Sequence, residues 1–213
     1  ARSLDLPVVS VEYRLAPEDP WPAAPDDAEA AARWVAENGA ALGREFTHLI
    51  LCGDSAGGTL TLVTALALRD KPAALPLLMQ FPIYPRTDAT SVTESWTSFA
   101  DGYALEKANL DYYEQAYRPD PQSWRHSAIV ADLAGLPPTF LVTAEFDPLR
   151  DEGRAFAAKA LVAGVQVTYR DFKGTIHGFC NYRKAIPSAK ADFDSMMAIA
   201  KAMIEEAMIA DAL

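Results

Sequence analysis

His48-Leu49-Ile50-Leu51-Cys52-Gly53-Asp54-Ser55-Ala56-Gly57-Gly58 decides how the rest of the chain is read. Five residues of strand-forming character run straight into G-x-S-x-G, and the pattern from Ala56 to Arg69 is apolar at helical spacing. A strand that turns sharply into a helix holds the serine in a strained conformation. Glycines at Gly53 and Gly57 are expected to let neighbouring backbone pass. The turn would lift the Ser55 hydroxyl clear of the carboxyl ends of the strands and aim the Ala56 amide, at the helix N-terminus, where an oxyanion would form. An ordinary Gly-rich turn is the competing reading, and the flanking strand and helix weigh against it.

A serine hydroxyl at neutral pH is a poor nucleophile, so it needs a base within hydrogen-bond reach and a third group to orient that base. The chain holds three histidines. His48 precedes the nucleophile strand, at the wrong edge of the sheet, and His126 reads as a surface or packing residue. His177, in Gly174-Thr175-Ile176-His177-Gly178-Phe179, follows the last predicted strand on the same edge as Ser55. The orienting acid should follow the preceding strand, in the order Ser, Asp, His. There Glu145-Phe146-Asp147-Pro148-Leu149-Arg150-Asp151-Glu152-Gly153 offers four carboxylates. Asp147 is favoured over Glu145, Asp151 and Glu152; the last two suit the first turn of the following helix.

Working outward, short β-rich runs alternate with longer helical patterns, as in an α/β fold whose parallel sheet is covered on both faces. Five strands are predicted, all interior or nearly so: 7–13, 48–52, 77–81, 139–144 and 166–171. Helices are predicted at 27–37, 56–69, 151–163 and about 189–207, with Asn38-Gly39 and Gly164 as left-handed helix ends and Pro72 as a stop. Residues 86–125 break the rhythm. They carry no strand pattern, only polar loop and then Leu105, Leu110, Tyr112, Tyr113 and Tyr117, so they read as a cap-like insertion. That stripe either seats a helix on the body or lines a pocket. No repeat or linker divides the chain, so 1–213 is expected to be one domain.

The 213 residues are 50% hydrophobic and 23% charged, with 19 Lys plus Arg against 29 Asp plus Glu and a net charge of -10. An acidic surface repels phosphate backbones and anionic lipid, so neither nucleic acid nor membrane is an expected partner. Apolar stretches such as Leu60 to Leu68 are too short to span a bilayer. Cys52 and Cys180 are expected to be buried or half-buried free thiols in a reducing, cytoplasmic compartment. The chain begins at Ala1 without a signal-peptide pattern.

Four motifs together resemble the hormone-sensitive-lipase-like esterases of the α/β-hydrolase fold: Tyr13-Arg14-Leu15-Ala16-Pro17-Glu18, Gly53-Asp54-Ser55-Ala56-Gly57-Gly58, Asp147-Pro148-Leu149-Arg150-Asp151-Glu152-Gly153 and His177-Gly178-Phe179. The resemblance implies a carboxylesterase or lipase-type serine hydrolase with Ser55 as nucleophile, His177 as general base and Asp147 as orienting acid. It implies an acyl-enzyme and no metal or organic cofactor. Activity is expected to fall in mild acid, because an imidazolium cannot accept the serine proton. An amidase or peptidase, a non-catalytic small-molecule-binding relative and an inert fragment are the alternatives.

One departure stands out. The family's His-Gly-Gly-Gly stretch, which supplies the other oxyanion-hole amides, does not occur in this chain, nor do the family's first strands and N-terminal cap helices. In that fold the strand ending at this stretch lies between 7–13 and 48–52, and its loss would leave a gap of roughly 10 Å with unpaired backbone. The expectation is therefore the C-terminal part of a longer esterase. Its partners would be an ester substrate and either the absent N-terminal segment or another copy of the chain. Alone, it is expected to be a poor catalyst, since losing one oxyanion donor costs about 100- to 1000-fold. Asp54 is expected to brace the elbow, Arg14 and Glu18 to stabilise the turn after the first strand, and Trp21, Phe81 to Pro85 and Phe179 to pack or border the pocket.

Overall fold

Leu77–Ile83 and Thr139–Phe146 carry a single charge between them, Glu145, and they become the two interior strands of a four-stranded parallel sheet. The computed structural model describes residues 1–211. In chain order the strands are β1 Leu49–Asp54, β2 Leu77–Ile83, β3 Thr139–Phe146 and β4 Val167–Ile176, hydrogen-bonded in that same order. The helices are α1 Ala23–Glu37, α2 Ala56–Asp70, α3 Glu94–Ser98, α4 Lys107–Tyr117, α5 Arg150–Val162 and α6 Pro187–Asp211. Among the described residues no helix is long and apolar enough to cross a membrane.

Period-two alternation along the strands divides the core into two layers. Leu141 of β3 joins Leu62, Val63 and Leu66 of α2 and Phe156 and Ala160 of α5 on one face. Phe140 and Val142 point the other way and meet Met79 and Phe81 of β2 and Met196, Ala200 and Met203 of α6. Both faces are thus covered, and every strand delivers its carboxyl end to the same rim.

The first predicted strand does not form. Residues 7–13 form no strand and pair with no neighbour, with Val8, Val9 and Val11 between 39% and 65% exposed. β-Branched residues supply strand propensity, but a strand persists only where a neighbour accepts its ladder hydrogen bonds, and this segment has none. Consequently β1 and β4 are the edges of the described sheet rather than interior strands. Cys52, on the β1 edge, is exposed instead of covered, whereas Cys180 is buried; both thiols are free.

The predicted helices form with slightly different ends. After α1, Asn38 keeps a negative φ of -121° and the chain makes a short 3-10 turn, so the left-handed residue is Gly43 at φ +68°. Gly39 serves space instead: a Cβ there would lie 2.8 Å from the Arg44 carbonyl oxygen. Gly164 at φ +84° ends α5 as expected. Residues 86–125 hold α3 and α4. Ser95 of α3 is fully buried; its amide donates to Asp151 Oδ2 at 2.9 Å and its hydroxyl to the Pro148 carbonyl at 2.9 Å, which roots the segment on the start of α5.

Candidate active site

Ser55 sits between β1 and α2 at φ +56°, ψ -118°, a conformation that a non-glycine residue holds only when its surroundings over-determine it. The Ser55 amide donates to the Ile83 carbonyl of β2 at 2.9 Å, which ties the elbow to the sheet. A Cβ at Gly53 would lie 2.3 Å from the Gly57 carbonyl oxygen, and backbone cannot yield there. Gly57 departs from expectation, since a Cβ on it meets nothing within 4 Å; the second tight glycine is Gly58, 2.9 Å from the Ile83 carbonyl oxygen. Gly53→Ala is therefore expected to destabilise the fold by about 1–3 kcal/mol through overpacking. Gly57→Ala should melt at or above the unmodified temperature, because alanine favours the helix by about 1 kcal/mol. Thermal melts of the two variants check this, and equal melting temperatures would contradict it.

His177, one residue past β4, places Nε2 2.8 Å from Ser55 Oγ and Nδ1 2.7 Å from Asp147 Oδ2. Asp147 has no exposed surface, and its Oδ1 accepts from the Leu149 amide at 2.8 Å. Both carboxylate oxygens are thus assigned, one to the ring and one to the backbone. Ala56 opens α2, so its amide is among the first-turn donors that lack an intrahelical acceptor.

The other carboxylates do different work. Glu145 Oε2 accepts from the Gly174 amide at 2.7 Å. Asp151 holds Ser95 and the Arg150 guanidinium. Glu152 is buried and accepts from the Thr87 and Asp88 amides at 2.6 and 3.3 Å. Asp54 takes the Tyr84 hydroxyl at 3.2 Å and the Asn181 amide at 3.5 Å, bracing the elbow against the His177 loop. Arg14 forms a bidentate pair with Asp27, within 2.8–3.2 Å, and a longer contact with Asp19. Glu18 shows no such partner among the described residues.

Of the other two histidines, His48 pairs with Asp211 of α6 at 2.8 Å on the far edge, as its position before β1 implied. His126 is buried rather than superficial, with Nε2 3.2 Å from Glu114 Oε1 on α4. Arg86 reaches the same Glu114 oxygen at 3.3 Å and lies over the Trp96 ring. Burial opposes charge on Glu114, but the His126 hydrogen bond and the Arg86 charge hold its carboxyl below the usual range.

Sequence reasoning undervalued Tyr84. Its ring centroid lies 4.7 Å from that of His177, and its backbone is held at φ +37°. Phe179 packs edge-on against Tyr84 at 5.5 Å, so the aromatic residues around the histidine support its ring. The visible signal was a tyrosine at the carboxyl end of an interior strand.

Glu152 makes the fold sensitive to pH. Burial, outweighing Arg86 and the two backbone donors, pushes its carboxyl from 4.5 up to about 8. Between those values the folded chain keeps a proton that the unfolded chain has lost, so stability declines as pH rises through that window. Glu152→Gln keeps an oxygen for Thr87 and Asp88 and removes the ionisation. Its melting temperature should therefore gain on the unmodified chain by several degrees between pH 5 and 8, at about 2–4 °C per kcal/mol. Parallel melting-temperature curves across that range would contradict this.

Above Ser55 lies an apolar pocket of about 360 Å³. Leu105, Leu110, Tyr112, Tyr113 and Tyr117 all line it, and only Leu110 among them is buried, so the stripe both seats α4 and borders the pocket. Among the described residues no group of His, Cys, Asp and Glu is arranged to hold a metal ion.

A parallel sheet with helices on both faces, and a serine, histidine and aspartate gathered over the carboxyl rim, define an α/β-hydrolase fold. A family model of that fold matches residues 1–181. The chain is 41% identical over 189 residues to the carboxylesterase NlhH of Mycobacterium tuberculosis, covering 85% of this chain and 59% of that protein. It is 36% identical over 196 residues to an ethyl acetate hydrolase of Pseudomonas putida, covering 89% and 61%. Among solved structures it superimposes on EstE1, a thermostable carboxylesterase from a metagenomic library, with a TM-score of 0.88 and 35% identity, covering 95% of this chain and 71% of that one. The Pyrobaculum calidifontis esterase gives 0.86 at 38% identity, covering 92% and 66%. The chain belongs to the hormone-sensitive-lipase-like family of α/β-hydrolases. It spans about three fifths of the length of the carboxylesterase it matches.

Proposed function

We propose that this protein is a carboxylic ester hydrolase acting on short to medium acyl esters through a Ser55 acyl-enzyme. The observation that carries the reading is the unbroken run of short hydrogen bonds from Ser55 Oγ through His177 to Asp147, opening into an apolar pocket. Names of the relatives point the same way, as esterases and carboxylesterases.

In the proposed reaction His177 Nε2 takes the Ser55 proton while Oγ bonds to the ester carbonyl carbon, and the carbonyl π electrons move onto oxygen. The Ala56 amide faces that oxyanion, and Asp147 stabilises the imidazolium. Collapse expels the alcohol, which leaves with the proton from His177. Water then repeats the sequence on the acyl-enzyme, giving the carboxylic acid and free Ser55. No cofactor enters these steps.

The same arrangement serves an amidase, and the relay alone does not separate the two. Matched p-nitrophenyl ester and p-nitroanilide substrates are expected to give turnover on the ester and little or none on the anilide. A fluorophosphonate probe should label Ser55 in the same preparation. Faster anilide cleavage would favour the amidase reading. A folded chain that neither turns over ester nor takes the probe would favour a binding relative, and an unfolded one an inert fragment.

A further inference from the structure

The two loops that carry Asp147 and His177 meet where the β3–β4 ladder loses its register. Ala144 stands opposite Phe172, and Phe146 stands opposite Ile176. Two steps along β3 therefore match four along β4, and Lys173, Gly174 and Thr175 all face the single residue Glu145. This is a bulge with two extra residues, the kind of irregularity that re-aims a side chain beside an active site.

Counting residues shows what the bulge achieves. Continued in register from Phe172, an unbulged β4 would set residue 175 opposite Asp147 and carry His177 opposite Leu149, about 6–7 Å too far at 3.3 Å per residue. With the bulge, Ile176 faces Phe146 and the next residue, His177, meets Asp147 at 2.7 Å.

A bulge frees backbone groups that need partners. Gly174, at φ +71°, gives its amide to Glu145 Oε2 at 2.7 Å, and a Cβ there would meet nothing within 4 Å, so this glycine serves the turn and not the space. Lys173 Nζ lies 3.5 Å from Glu145 Oε1 and 2.8 Å from Asp171. The Glu145 carbonyl accepts from Arg150 at 3.2 Å, which fixes the start of α5 beyond Asp147. One residue thus grips both loops, by its side chain and by its backbone.

We propose that Glu145 is a positioning residue: its carboxylate fastens the β4 bulge and so sets His177 in register with Asp147 and Ser55. The proposal rests on the hydrolase reading for its kinetic arm alone. The far-downfield NMR resonance of the His177 Nδ1 proton reports the ring's bond to Asp147 whether or not the chain turns over ester.

In Glu145→Ala that resonance is expected to vanish or broaden, and kcat on p-nitrophenyl butyrate to fall about 10- to 100-fold with KM little changed, the loss produced by misplacing a reacting group by an ångström or so. Glu145→Gln, which keeps an acceptor for Gly174, should restore both readouts. Lys173→Ala, which removes only the exposed ammonium's contacts with Asp171 and Glu145 Oε1 and leaves the Gly174 bond, should match the unmodified chain. Glu145→Asp is one methylene too short to keep the Gly174 bond and disturbs the fold less, so it should show the same loss if the alanine variant melts early. An unchanged imidazole resonance and a kcat within twofold in the alanine and aspartate variants would overturn the proposal, as would a glutamine variant as impaired as alanine. If the unmodified chain fails to hydrolyse ester, the esterase reading falls and the NMR comparison still decides the role of Glu145.

Discussion

Ser55→Ala is expected to remove nearly all ester turnover, a loss of up to about a million-fold by comparison with serine hydrolases that use the same three groups. The size follows from what the hydroxyl does. In the proposed reaction Oγ is the atom that bonds to the acyl carbon, and His177 Nε2, 2.8 Å away, has no other proton to collect. A water in the vacated space lacks the orientation that the φ +56° elbow gives Oγ, so the base alone recovers little of the rate. Stability should hardly change, because the half-buried hydroxyl contributes one hydrogen bond and alanine tolerates the backbone no worse than serine. The pocket walls are untouched, so a non-reactive ester analogue should bind with unchanged affinity. Initial rates with p-nitrophenyl butyrate, fluorophosphonate labelling and a thermal melt together check the prediction. Retention of even a hundredth of the activity in a cleanly folded variant would remove Ser55 from the chemistry.

The elbow around Ser55 was legible because its whole environment is written contiguously: strand, turn and helix occupy 49–70, and the turn's demand for glycine is local. The position of His177 beside Ser55 was legible by elimination among three histidines and by its place after the last strand. Gly57 shows where local reasoning stops. Which glycine must be small depends on β2, whose Ile83 carbonyl crowds Gly58 and leaves Gly57 open, and no spacing rule within the motif contains that approach.

Residues 7–13 fail for a related reason. The β-branched Val8, Val9 and Val11 state a preference for extended backbone, but pairing belongs to the neighbour. His126 and Glu114 lie twelve residues apart and meet only because α4 folds back over the rim, so their buried contact was invisible as pattern. The role of Glu145 was hidden still deeper. A register shift is a relation between two strands, and Gly174 within β4 marks a turn without saying which residue of β3 faces it.

Asp147→Asn is expected to lower kcat/KM by about 10,000-fold while leaving the melting temperature nearly unchanged, as in the corresponding substitution of a triad aspartate elsewhere. Volume is conserved, so the buried site repacks without a cavity. What changes is where the proton sits. An asparagine has one acceptor and one donor, and the Leu149 amide, 2.8 Å from Oδ1, requires that side to remain the acceptor. The amino group is therefore turned toward His177 Nδ1. Two donors cannot face each other across 2.7 Å, so the ring must take the tautomer with its proton on Nε2. In that form the imidazole presents a proton to Ser55 instead of a lone pair, and the general base is lost while every heavy atom stays in place. Glu145 offers no rescue, because its carboxylate is committed to Gly174. Asp147→Ala removes the acceptor of Leu149 as well and should cost stability in addition to rate. Kinetics and melts of both variants, with an NMR assignment of the His177 tautomer in the asparagine variant, form the test. Activity within tenfold of the unmodified chain, with the proton still on Nδ1, would mean that another group orients the base.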